Sequence, residues 1–163
     1  MLEIEKAEEV IKQGLALTKS TGGLEMLLGD IEIIRGNKDK ALQIWDKINI
    51  DNIDDGSVGY IVVLYNLADR YIKNGRDETG IMLFNKSAEA GFKLKLGWGS
   101  ALHSLAFYYD SKGDEEKAIE SWERIMRANE QCLDLDEEAK AEYNTWPKDM
   151  IRKLKERQKN KIK

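Results

Sequence analysis

The sequence is poor in the residues that most often carry chemistry. Its 163 residues include one histidine, His103, one cysteine, Cys132, and one proline, Pro147. Zinc sites draw their ligands from several histidine and cysteine side chains, so this composition predicts no zinc site. A single cysteine forms no internal disulfide, which agrees with a reducing compartment. Proline is the costliest residue inside a helix, so its near absence beside 34% charged residues predicts a chain of amphipathic helices.

Long apolar runs and a basic leader are also missing. No stretch approaches the roughly 18 apolar residues of a membrane-spanning helix, and residues 1–9 carry no leader pattern. We therefore expect a cytoplasmic protein without a membrane span. Hydrophobic residues make up 42% of the chain, which is enough for the core of one domain. The prediction is a single all-α domain over residues 1–163.

Catalytic and nucleotide-binding motifs are absent as well. His103 and Ser104 are neighbours in sequence, and on a helix such neighbours point in different directions, so they form no base and nucleophile pair. Gly97-Trp98-Gly99 lacks the further glycines of a dinucleotide fingerprint, and no Gly-Lys-Ser/Thr loop is present. The sequence thus predicts a protein that is not an enzyme and that needs no cofactor and no metal.

Positive charge is concentrated at the C-terminal end. Residues 148–163 carry a net charge of +6, whereas residues 1–147 carry −10. The basic residues of this tail are Lys148, Arg152, Lys153, Lys155, Arg157, Lys159, Lys161 and Lys163. Such a tail could attach to nucleic acid or to an anionic membrane surface. Its apolar face is short, so a solvated cap that balances the acidic body is the favoured interpretation.

What the chain does contain is an internal repeat. The glycines Gly36, Gly75 and Gly113 are 39 and 38 residues apart, and each is followed by a small residue five positions later and an aromatic residue nine positions later. The small residues are Ala41, Gly80 and Ala118, and the aromatic residues are Trp45, Phe84 and Trp122. A period of about 20–50 residues indicates stacked units that bury a core against their neighbours.

Each turn glycine is expected to join two antiparallel helices in close contact. A leucine and a small residue precede every turn, as Leu28-Gly29, Leu67-Ala68 and Leu105-Ala106. Small residues at a helix crossing with large ones a turn beyond favour close packing, so Trp45, Phe84 and Trp122 are expected in the core. Apolar spacing predicts helices over about 3–19, 24–35, 38–49, 57–74, 77–90, 98–112, 115–131 and 137–160.

Three finer expectations concern single helices. The second helix should turn an apolar side inward, made of Leu24, Leu27, Leu28, Ile31 and Ile34. Gly91 should end the fifth helix. The sequence leaves open whether the last helix is continuous through Pro147, kinks or restarts there; in each case it should keep an apolar stripe across the proline, made of Ala139, Tyr143, Trp146, Met150 and Leu154.

The repeat resembles the tetratricopeptide repeat. The third unit matches its pattern best, through Leu102, Leu105, Ala106, Tyr109, Gly113, Ala118 and Trp122. The segment 84–91 is similar to the closing segment of the Sel1-like subfamily. The period exceeds the usual one of about 34 residues, and Glu25 and Glu32 stand where large residues are expected. The resemblance covers residues 24–131.

The resemblance implies an α-solenoid of antiparallel helix hairpins. Its parts would be an N-terminal helix over 1–22, repeats over 24–50, 57–91 and 98–131, and a capping helix with the basic tail over 136–163. Such solenoids bind ligands on a concave groove. Family resemblance assigns this groove to Met26, Asp30, Tyr65, Asn66, Asp69, Lys73, His103, Phe107 and Asp110.

The predicted function is therefore a non-catalytic protein–protein interaction module that binds a peptide or partner helix. The aromatic, methionine and aspartate side chains of the groove predict a basic or amphipathic ligand. The cations that some members use to hold chaperone tails are missing, so that ligand is rejected. Chaperone-like binding of a toxin or secreted segment stays open by family analogy. The alternatives are an adaptor that uses the tail on nucleic acid or membrane, and a self-associating scaffold such as a homodimer.

Overall fold

The computed structural model describes residues 2–17, 22–53, 56–95 and 99–161. Within these ranges the chain forms nine α-helices and one short 3-10 helix at Ile50–Asn52, with no β-strand. The helices are α1 Leu2–Leu17, α2 Gly23–Ile34, α3 Lys38–Trp45, α4 Val58–Lys73, α5 Asp77–Lys93, α6 Ser100–Ser111, α7 Glu115–Gln131, α8 Glu137–Tyr143 and α9 Thr145–Lys161. The all-α prediction is confirmed.

The chain divides into two compact units, Met1–Gly80 and Ile81–Lys163, with the division inside α5. We call them the N-terminal unit and the C-terminal unit. None of the described helices is both long enough and apolar enough to cross a membrane. Some positions named above lie outside the described residues. They are the predicted end of the first helix at residue 19, the predicted start of the sixth helix at Trp98, and the residues Gly97 and Lys163.

Two predicted helix ends are wrong. The third helix stops at Trp45 instead of residue 49, although Ile48 beyond it is still buried. The fifth helix continues through Gly91 to Lys93, so Gly91 is not its stop. The left-handed residue that follows this helix is Lys95, with a φ of 52°, and its N–H donates to the carbonyl of Phe92.

The three turn glycines have the same local geometry. Gly36, Gly75 and Gly113 have φ values of 79°, 78° and 75°, in the left-handed region that glycine adopts at low cost. At each turn the glycine N–H donates to the carbonyl three residues earlier. The next N–H donates five residues back, as from Asn37 to Glu32 at 2.8 Å. These are the two hydrogen bonds of a Schellman motif, so each first helix ends in the same way.

Small residues lie at the helix crossings, as predicted. A Cβ at Gly29 would lie 2.0 Å from Nε1 of Trp45, so the glycine lets the indole of α3 rest against the backbone of α2. The same indole donates to the carbonyl of Met26 at 3.1 Å. A Cβ at Gly80 would lie 2.8 Å from the carbonyl oxygen of Ala68. Trp45, Phe84 and Trp122 are all buried, which confirms the core prediction for these rings.

The buried side of α2 differs from the predicted one. Met26, Gly29, Ile31 and Glu32 are buried, whereas Leu27 and Ile34 are exposed. The contact of Gly29 with Trp45 explains the difference, because residues three positions either side of Gly29 share its face. Met26 and Glu32 occupy those positions, so the helix is turned relative to the side that its leucines and isoleucines suggested.

Glu32 is buried within a set of polar partners. Its carboxylate accepts hydrogen bonds from Asn37 at 2.9 Å, Lys40 at 2.9 Å and Arg35 at 3.1 Å. Arg35 also pairs with Glu8 of α1 at 2.6 Å. The hydrogen bonds from Asn37 and Lys40 lower the pKa of Glu32 to about 2. The glutamate that departs from the repeat pattern therefore links the first three helices as a carboxylate.

The C-terminal unit ends in two helices that meet at a buried asparagine. The side chain of Asn144 accepts from Asn129 at 2.9 Å and donates to Glu130 at 2.8 Å, which fastens the α8–α9 junction to α7. Pro147 lies in the first turn of α9, where its missing N–H costs no helical hydrogen bond. The helix thus restarts just before the proline, a point that the sequence left open.

The apolar stripe predicted across Pro147 is wrong in part. Leu154 is fully buried, but Tyr143 is 59% exposed and Trp146 is 47% exposed. The restart at Asn144 breaks the helical spacing on which the stripe rested. Pro147 and Leu154 are the buried residues of α9, and α8 has none.

Candidate interaction surfaces

The predicted groove residues of the N-terminal unit lie on α2 and α4, and two of them are joined by Arg70. The guanidinium of Arg70 donates through Nε to Asp30 at 2.7 Å, pairs with its second oxygen, and donates to the carbonyl of Asn66 at 3.0 Å. Lys73 pairs with Asp69 at 2.7 Å. Tyr65 is half-buried. The structure therefore ties Asp30 to α4 through Arg70, which the sequence pattern does not single out, whereas the Asn66 side chain donates to the carbonyl of Val62 at 2.8 Å.

Met26 does not fit the predicted surface. Its side chain is only 5% exposed, and its carbonyl accepts from the indole of Trp45. Leu27, the next residue, is exposed. The turn of α2 that Gly29 and Trp45 impose has exchanged the two, so Met26 belongs to the core.

The predicted groove residues of the C-terminal unit form an aromatic cluster with two tryptophans. His103 and Phe107 lie one turn apart on α6, and their ring centroids are 5.1 Å and 5.5 Å from that of Trp122 on α7. Trp146 of α9 lies 5.2 Å from His103, 5.8 Å from Phe107 and 5.0 Å from Trp122. These separations are typical of favourable ring pairs. We call these four residues the ring cluster.

The ring cluster has a buried base and an open side. Trp122 is fully buried, and its indole N–H donates to no acceptor in the part of the chain that the structure describes. Phe107 is 46% exposed, and Trp146 is exposed to a similar extent. Burial lowers the pKa of His103 below its ordinary value, so the imidazole is neutral near pH 7. The open side is thus an uncharged aromatic surface.

Ion pairs from α9 lie beside this surface. Arg157 pairs with Asp110 of α6, and Lys161 pairs with Glu115 at the start of α7. A cleft of about 410 Å³ opens here between α6 and α9. Its lining includes Asp110, Met150, Lys153, Leu154, Arg157 and Asn160.

The aspartates of the predicted groove are paired within the chain. Asp30, Asp69 and Asp110, which suggested an acidic groove, are paired with Arg70, Lys73 and Arg157. The negative charge of Asp30 and Asp69 is therefore compensated within the N-terminal unit, and that of Asp110 is compensated as long as α9 lies against α6. Lys153 and Arg152 of the tail pair with Asp149, and Arg157 and Lys161 are also engaged. These contacts support the cap interpretation of the tail, and we do not carry the anionic-partner adaptor forward.

The sequence reasoning missed Arg70, Trp146 and Arg157 as parts of these surfaces. Arg70 stands next to the predicted Asp69, but pairing with a residue 40 positions earlier leaves no local pattern. Trp146 was expected on an inward stripe rather than against His103. Among the described residues, no group of three His, Cys, Asp or Glu side chains is placed to hold a metal ion.

Comparison with known proteins adds no family to these observations. No protein-family model matches the chain, and no curated protein is similar to it in sequence.

Proposed function

We propose that this protein is a non-catalytic interaction module, built as an α-solenoid of tetratricopeptide-like hairpins. Two kinds of observation support the architecture. The three hairpin turns share one hydrogen-bonded geometry. Helices in equivalent positions of successive hairpins are linked by arginine, as Arg70 of α4 with Asp30 of α2, and Arg124 of α7 with Asn85 of α5 at 2.7 Å.

The observation that carries the binding role is the half-exposed Phe107 above a buried tryptophan. A large aromatic side chain held by packing, but open on one side, is the kind of residue that dominates interface energies. Phe107 projects from a rigid helix and rests on Trp122, so little conformational entropy is lost when a partner covers it. We assign the partner-binding surface to α6, with Phe107 as its anchor and His103 beside it.

The ligand that fits an uncharged aromatic surface is a peptide or helix with apolar anchors of its own. Such partners lay an amphipathic face against a groove through residues spaced by three and four. Binding of this kind needs no cofactor and no metal. The buried single cysteine, Cys132, suits a protein of a reducing compartment such as the cytoplasm.

A peptide selection tests this proposal. The intact chain would be used to select binders from a phage library of random 16-residue peptides, and the affinity of the selected peptides would be measured by fluorescence anisotropy. Phe107→Ala should weaken them at least tenfold, because the loss of an aromatic anchor commonly costs about 2 kcal/mol or more. Circular dichroism would show that the helical content is unchanged.

Tyr143→Ala is the matched control for this test. Tyr143 is an exposed aromatic residue of the same unit that lies outside the ring cluster, so its loss should leave the affinity at the parent value. Equal affinities for the parent and Phe107→Ala would contradict the proposal. Association of the parent with itself in sedimentation experiments, without selected peptides, would favour the self-associating scaffold instead.

A further inference from the structure

The α6 surface is partly covered by the chain's own last helix. Trp146, in the first turn of α9, lies against both His103 and Phe107. Arg157, on the same helix, pairs with Asp110, which follows Phe107 by one turn. All three groove residues predicted on α6 are therefore contacted by α9, which shows what kind of helix fits this surface.

The chemistry of α9 on this surface is specific. An aromatic residue, Trp146, is followed 11 and 15 residues later by the cations Arg157 and Lys161. At about 1.5 Å per residue, these positions lie roughly 16 and 22 Å along the helix from the tryptophan. The cations meet the carboxylates of Asp110 and Glu115. The surface thus accepts a basic amphipathic helix with an aromatic anchor at its N-terminal end.

The attachment of α9 to α6 is lighter than its attachment to α7, against which the helix mainly packs. Its buried residues are Pro147 and Leu154, and α8, which leads to it, has none. Trp146 is half-exposed, and the side chains of Arg157 and Lys161 are 51% and 60% exposed. Exposed ion pairs contribute little to stability, and segments with few buried contacts open locally at low cost. The contacts that α9 makes with α6 are therefore the part of its attachment that is lost at least cost.

We propose that α9 is an intramolecular occupant of the α6 surface, and that the partner is a basic amphipathic helix with an aromatic anchor that displaces it. This inference rests on the proposed function and names its ligand. Displacement of Trp146 also uncovers Trp122, whose unpaired indole N–H then becomes available to an acceptor on the partner. The basic tail acts in this account as a competitor in cis, not as a handle for an anionic surface.

A synthetic peptide of residues 145–161 is the probe for this inference. It would carry a fluorescein label and be titrated with the full chain, with anisotropy as the readout. The parent should bind it weakly, because its own α9 holds the site at a high effective concentration. Trp146→Ala in the full chain should raise the affinity for the probe at least about tenfold, because the chain's own α9 loses its anchor while the probe keeps its tryptophan.

Three further variants make the result specific. Arg157→Ala, which leaves the ring cluster intact, should tighten the probe by a smaller factor that shrinks at about 0.5 M salt, where exposed ion pairs are screened. Tyr143→Ala should bind like the parent. The double variant Trp146→Ala with Phe107→Ala should not show this rise in affinity, because the tryptophan of the probe then has no Phe107 ring to contact.

The opposite results overturn the inference. If Trp146→Ala and Arg157→Ala keep their helical content and bind the probe no better than the parent, α9 is a permanent cap. If the parent forms a concentration-dependent dimer in sedimentation experiments, the occupant is a second copy. A failure of the proposed function looks different, because Phe107→Ala then leaves the library-selected peptides unaffected whatever the probe does.

Discussion

Single glycines set the geometry of the hairpins, for two different physical reasons. Gly36, Gly75 and Gly113 are needed for their positive φ, because a side chain in the left-handed region clashes with its own carbonyl. Gly29 and Gly80 are needed for space, because a neighbouring side chain or backbone occupies the place of a Cβ. The two groups therefore respond differently to the same glycine-to-alanine change.

The left-handed turn predicts a cost that is purely conformational at Gly113. A Cβ built there meets no heavy atom within 4 Å, so Gly113→Ala adds no steric conflict with other residues. We expect a loss of about 1–2 kcal/mol in the free energy of unfolding, measured by urea denaturation. Gly113→Asn should cost clearly less, since asparagine also occurs at this helix-ending position. Equal losses for the two variants would show that φ is not the cause.

The close crossing predicts a different kind of loss at Gly29. Here the added Cβ would lie 2.0 Å from Trp45, so Gly29→Ala must push the indole off the backbone of α2. We expect a cost of about 1–3 kcal/mol and a change in tryptophan fluorescence. Gly59→Ala is the control, because its Cβ meets only Oγ of Ser57 at 3.6 Å. That change should be neutral or stabilise by up to about 1 kcal/mol, and a similar loss in both variants would count against the crossing.

At the scale of the helix, the sequence predicted which helices form and where the turns lie better than it predicted which side of a helix faces the core. The seventh helix has its predicted bounds, and every turn glycine is where the repeat placed it. The rotation of α2 could not be predicted, because the apolar side chains of Leu27 and Ile34 favour an inward orientation that the structure does not adopt. The close contact between Gly29 and Trp45 turns the side of α2 that carries Met26 and Glu32 toward the core. The hydrogen bonds from Asn37 and Lys40 then satisfy the buried carboxylate of Glu32.

The α6 surface shows the same limit of prediction from the sequence. His103 and Phe107 were predicted from their register in the repeat, and the structure places them side by side above Trp122. Trp146 joins them because the helix restarts at a buried asparagine that is bonded to α7, which brings the first turn of α9 against the two rings. Contacts between residues so far apart in sequence leave no period to detect.

The network around Glu32 predicts a pH dependence of stability. Its pKa in the folded chain is about 2, below the ordinary value of 4.5, so folding is favoured by the ionised form. The contribution is complete above about pH 4.5 and is lost as the pH falls toward 2. Glu32→Gln should lower the unfolding free energy near pH 7 by about 1.5–3 kcal/mol, as expected for hydrogen bonds to a charged group.

Urea denaturation of the parent and Glu32→Gln at several pH values checks this expectation. The difference between the two proteins should be largest near pH 7 and should shrink below about pH 4. Other carboxylates act equally in both proteins and cancel in the difference. A difference that stays constant over this range would mean that Glu32 contributes through shape rather than charge.

At the scale of the whole molecule, the uneven charge distribution finds part of its explanation inside the C-terminal unit. The tail carries a net charge of +6, and two of its cations, Arg157 and Lys161, form ion pairs with Asp110 and Glu115. The same contacts place Trp146 on the ring cluster. We infer that this cover and the proposed partner compete for α6.

Hydrogen exchange of the intact parent chain, with and without a saturating library-selected peptide, tests that claim most directly. Amides of α6 should exchange more slowly in the complex, because the partner covers them. Amides over residues 137–161 should exchange faster at the same time, because the partner has displaced α9. Slower or unchanged exchange over residues 137–161 in a complex that protects α6 would contradict the claim, because α9 would then stay in place when the partner binds.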